Sequence, residues 1–85
     1  MNPDDKQVLI LLTIWNASKS RKIPPSISDL QKATLLSAGG VHFKVKELID
    51  AGFATRTRLA RSLSITDKGI LLLRSQGLIN ENNSS

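Results

Sequence analysis

Apolar residues recur at helical spacing near the start of the chain. Val8, Leu11, Leu12 and Trp15 fall on one stripe, which predicts a first helix to about Ser18 with that face toward a core. Asn2 is its expected cap, Pro3 suits the first helical position, and Asp4 and Asp5 stand near the positive end of the helix dipole. Ile10, Ile14 and Ala17 form a second apolar stripe roughly opposite, more than one small core requires from one helix.

"SKSRKIPPS" breaks this pattern with charge and two prolines. Ser26, with Asp29 three residues on, has the spacing of a capping box opening a short helix, "SISDLQKAT", whose Ile27, Leu30 and Ala33 would face inward. "LLS" turns the chain, Ser37 can cap a third helix from about Val41 to Ala51, and Gly52 suits its carboxy-terminal end. After Gly52 the period shifts toward alternation, predicting strands at about 53–58 and 62–66. Thr66 caps a last helix, "DKGILLLRSQ", closed by Gly77, and "NENNSS" reads as a disordered polar tail. The expectation is one domain over residues 1–79 with a tail at 80–85. It is mainly α with a small β-hairpin: a three-helix core, the hairpin and a carboxy-terminal helix.

Composition narrows the function. Eighty-five residues suffice for one small core, and no cysteine is present to form a disulfide or thiolate zinc site. The acidic start "MNPDDKQ" is unlike a secretory signal and "VLILLTIW" is far short of a bilayer span, so a soluble, cytoplasmic protein is expected, with no membrane partner. A formal net charge of +5 favours acidic partners such as nucleic acid.

Catalytic constellations are absent, and no enzyme is expected. "SAGGV" lacks the Lys-Ser/Thr ending of a phosphate-binding loop and follows no strand. Asp4 and Asp5 are adjacent and cannot face each other on a helix. A single histidine without cysteine argues against a metal site, nothing implies a cofactor, and nothing marks a pocket for a small-molecule effector.

The order helix, helix, turn, helix, hairpin, helix resembles a winged helix-turn-helix domain over roughly residues 5–77. "ISDLQKATLLSAGGVHFKVKELIDAGFATRTR" is similar to the helix-turn-helix and following "L-x-x-x-G-F/Y-x-x-R" of MarR-type transcriptional regulators, and "LSITDKG" to their "L-T-x-x-G" after the wing. Leu59 stands where those regulators usually place an Asp, two residues before a wing arginine, here Arg61. The resemblance implies a sequence-specific double-stranded DNA-binding protein, a transcriptional repressor, with the third helix in the major groove and the hairpin as a wing on the backbone.

Under that implication, a helical wheel with Val41, Val45, Leu48 and Ile49 inward puts Gly39, Phe43 and Lys46 on the far side and His42 at its edge. The candidate DNA contacts are Ser37, Ala38, Gly39, Gly40, His42, Phe43 and Lys46, with Arg56, Arg58 and Arg61 on the wing. Gly39 and Gly40 suit either close approach to a groove wall or a turn before the helix. Phe43 suits a thymine methyl or a protein interface, Lys46 a phosphate or a solvated face. Glu47 and Asp50 restrict any approach to the helix's first half. The wing arginines have no acid between Gly52 and Asp67, whereas Lys19, Arg21 and Lys22 form a second basic cluster that suits solvent equally well.

Two function classes follow: a DNA-binding regulator, or a winged helix used as a protein-protein module with Phe43 and the extra apolar stripes as docking surfaces. The second stripe of the first helix and the run Ile70 to Leu73 exceed one core's needs. They predict a homodimer through Ile10, Ile14, Ala17, Leu71 and Leu72, unless the hairpin and Leu78-Ile79 cover them.

Overall fold

The computed structural model describes residues 2–20, 23–58 and 62–80. Four helices, α1 (Asp5–Ser20), α2 (Ile27–Thr34), α3 (Ala38–Asp50) and α4 (Asp67–Ser75), accompany a two-stranded antiparallel hairpin of β1 (Ala54–Arg56) and β2 (Leu63–Ile65). The chain is thus mainly helical with a small hairpin. Among the described residues no helix is long and apolar enough to cross a membrane.

Helix α1 is capped by Asp4, two residues after the expected cap. The Gln7 backbone N–H donates to Asp4 Oδ1 at 2.8 Å, and the Asp4 N–H donates to Gln7 Oε1 at 2.9 Å. This reciprocal pair satisfies two backbone donors together, which Asn2 could not do from its place in sequence.

The apolar stripe expected to be surplus is core. Ile10, Ile14 and Ala17 are 0%, 2% and 3% exposed, while Leu12 and Trp15 of the expected core face are only half-buried. The reason is topological: α1 runs through the middle, touching α2 and α3 as well as β2 and α4, so two of its sides are covered. These three residues are therefore inside the fold and unavailable as an interface on its surface. In α4, Leu73 is fully buried, Leu72 is half-buried, and Leu71 remains 57% exposed. Ile79 packs against the core, as a chain folding back over that surface would.

The shorter helices follow their local signals. Ser26 and Asp29 form the capping box of α2. Leu35 then adopts φ +62°, a left-handed conformation normally left to glycine, and is followed by Leu36 and Ser37 before α3 begins. Gly52, at φ +88°, lets α3 end in a Schellman arrangement in which Gly52 N–H reaches Ile49 O and Phe53 N–H reaches Leu48 O. Phe53 is buried at that point.

The strands are shorter than predicted, pairing Ala54 with Ile65, Thr55 with Ser64 and Arg56 with Leu63. Thr57 N–H to Ser62 O closes the ladder at 2.9 Å. Thr66 caps α4 as expected and also donates to Gly52 O at 2.6 Å, while Lys68 Nζ donates to Ala51 O at 2.7 Å. One short segment thus starts α4 and satisfies carbonyls at the end of α3. Gly69 completes the junction, since a Cβ there would lie 2.4 Å from Phe53 O and 2.6 Å from Ile65 Cγ1.

Candidate nucleic-acid interface

Helix α3 is built from one buried and one open side. Val41, Val45 and Leu48 are buried, with Ile49 half-buried beside them, as the wheel predicts. This fixes the opposite side outward. Ala38, Gly39, His42, Phe43 and Lys46 are exposed there, and Phe43 shows 61% of its surface.

Ser37 is the N-cap, its Oγ accepting from Gly40 N–H at 3.1 Å. Gly39 and Gly40 therefore belong to the first turn of α3, and the reading in which they form a turn before the helix is corrected. The N–H groups of Ala38 and Gly39 at this end have no intrahelical acceptor by position. The two glycines differ in what surrounds them. A Cβ on Gly40 would touch Leu36 and Ser37 at 3.4 Å, whereas one on Gly39 would meet nothing within 4 Å. Packing accounts for neither the presence of glycine at 39 nor the helix-forming tendency it forgoes.

The lysines of α3 are both engaged. Lys46 Nζ donates to Asp50 Oδ2 at 2.9 Å, one turn along, and that hydrogen bond raises the lysine's pKa above its ordinary value. Lys44, half-buried, pairs with Asp4 at the start of α1, and this contact likewise raises its pKa. For Asp4, partial burial raises the carboxyl, but hydrogen bonds from Lys44 and the Gln7 and Lys6 backbones, with the attraction of Lys44, hold it below its usual range. Further along α3, Glu47 Oε1 accepts from Gln7 Nε2 at 2.8 Å. Of the side-chain pairs Lys46–Asp50, Lys44–Asp4 and Glu47–Gln7, the first alone joins residues close enough in sequence for a helical pattern to suggest it.

On the hairpin, Arg56 and Arg58 are exposed. Arg61 lies outside the described residues, as do Arg21 and Lys22 of the second basic cluster and residues 81–85 of the expected tail. Lys19 of that cluster sits over the Trp15 ring, 4.6 Å from its centroid. Leu35, at the turn before α3, is 86% exposed and had no place among the expected contacts. Its left-handed backbone is one that no local residue preference announces. A cleft of about 440 Å³, which the sequence does not mark, lies between α1 and the hairpin, bordered by Trp15, Pro24, Pro25, Leu63 and Ile70.

Compared with known protein families, curated proteins and solved structures, the chain matches none.

Proposed function

We propose that this chain is a double-stranded DNA-binding protein on a winged helix-turn-helix plan, a transcriptional regulator that represses by occupying its site. The first half of α3 enters the major groove and the hairpin arginines Arg56 and Arg58 lie on the backbone. The observation that carries this reading is Gly39: a glycine on the outward side of a helix, at a position where a side chain would meet nothing. Such a residue weakens the helix without serving its packing, and a close-approaching groove wall supplies the reason. The charge of +5 gives the attraction to an acidic duplex.

The same reading pairs two copies about a two-fold axis, through Leu71 and half-buried Leu72 of α4 and no longer through the buried α1 residues. Sedimentation of the protein alone and on a duplex carrying an inverted repeat tests that part.

A protein-protein module is the second reading, favoured by Leu35 and Phe43, two large apolar side chains exposed on the turn and on α3. Selection of bound sequences from a random duplex pool separates the two. An enriched motif supports the regulator, and an unenriched pool with weak binding at every sequence overturns it in favour of the module.

A further inference from the structure

The outward side of α3 has an unusual chemical make-up for a helix that would read base edges. Ala38, Gly39, Gly40 and Phe43 carry no side-chain donor or acceptor. Ser37 Oγ accepts the Gly40 N–H and keeps its own O–H, while Lys44 is paired with Asp4, Lys46 with Asp50 and Glu47 with Gln7. His42 remains, at the edge of this side. The centre is the Phe43 ring, 61% exposed, with Gly39 one turn before it leaving the neighbouring surface open.

Base edges in the major groove present hydrogen-bond donors and acceptors, with one apolar feature, the 5-methyl group of thymine. A phenyl ring carries no donor or acceptor and cannot itself distinguish base-edge donors from acceptors. It can only gain from the methyl. Resting on the DNA-binding reading above, we infer that Phe43 makes this chain a reader of the pyrimidine 5-methyl group, which contributes to specificity at the base pair facing the ring. The recognised feature is the methyl and not the whole thymine edge. Cytosine methylated at the same ring carbon presents the same group and is therefore accepted in preference to cytosine. Gly39 permits the approach.

The test uses the full chain and the duplex enriched from the random pool. Each thymine is replaced in turn by uracil, which removes only the methyl. One position per protomer is expected to lose about 4-fold in affinity, the worth of burying one methyl-sized group. At that position, 5-methylcytosine is expected to bind about 4-fold tighter than cytosine, for the same reason. Both differences vanish in Phe43→Ala and persist in Phe43→Leu, which keeps an apolar side chain. Circular dichroism of both variants should match the native protein, because the ring is exposed. Binding that persists while every uracil replacement is silent, or that responds equally in Phe43→Ala, overturns the methyl reading and leaves DNA binding standing. A pool without any enriched duplex overturns both.

Discussion

Gln7 and Glu47, forty positions apart, are joined by a 2.8 Å hydrogen bond from the Gln7 side-chain amide to the Glu47 carboxylate. Gln7 is 2% exposed, and its amide oxygen also accepts the Asp4 N–H that begins α1. One buried side chain therefore caps the first helix and holds it to α3. Gln7→Ala removes both bonds and leaves the Glu47 carboxylate without this donor, at an expected loss of about 1–3 kcal/mol. Urea unfolding should show a lower midpoint with an unchanged slope, and an unchanged midpoint would refute the role.

The neighbouring pair, Asp4 with Lys44, makes stability depend on acid pH. The carboxyl of Asp4 is more acidic in the folded chain than its ordinary value, so its contribution is complete well above about pH 4. It is lost as pH falls through that region toward the lower folded value. Asp4→Asn should lower stability at neutral pH and flatten the dependence between about pH 5 and 3. Urea midpoints of both proteins across this range provide the check, and parallel curves would contradict the linkage.

Gly69 tests the junction between α4 and the hairpin. Its missing Cβ would lie against backbone oxygen at 2.4 Å, where no flexible side-chain end can yield. Gly69→Ala is expected to cost about 1–3 kcal/mol or more, although alanine favours the helix at an open position. A variant as stable as the native protein in thermal unfolding would show that α4 shifts freely.

Arg58, just past β1, tests the wing. If it neutralises a phosphate, Arg58→Ala weakens binding to all duplexes alike and makes the slope of log affinity against log salt shallower by about one unit. An unchanged slope would take Arg58 out of the contact.

The local signals were legible because their partners are close in sequence. Ser26 with Asp29, Ser37 with Gly40, Thr66 with Gly69 and the left-handed glycines 52 and 77 all act within one turn. The outward side of α3 was legible for the same reason, from helical period alone. What was not legible depends on how elements stack. Ile10, Ile14 and Ala17 look surplus on an isolated helix and are buried once α2, α3, β2 and α4 all pack on α1. Asp4–Lys44 and Gln7–Glu47 pair residues with no periodic relation, and Gly69 shows its purpose only once Phe53 and Ile65 lie beside it.

Gly39 separates stability from function. It occupies the second position of α3, after the Ser37 cap and Ala38, and a Cβ added to it would touch nothing within 4 Å. Gly39→Ala should therefore leave the fold intact and stabilise it by up to about 1 kcal/mol, since alanine restricts the unfolded chain and favours the helix. In the complex the same methyl group meets the groove wall. An overfilled contact of this kind costs about 1–3 kcal/mol, about 5-fold to 160-fold in affinity. Gly39→Glu adds length and negative charge at the closest approach to phosphate, and should abolish binding while circular dichroism remains native. Glycine at 39 would then trade stability for access. Paired measurements decide it, thermal unfolding for the first effect and a binding titration on the enriched duplex for the second. If both variants bind as the native protein does, α3 does not enter a groove by this side.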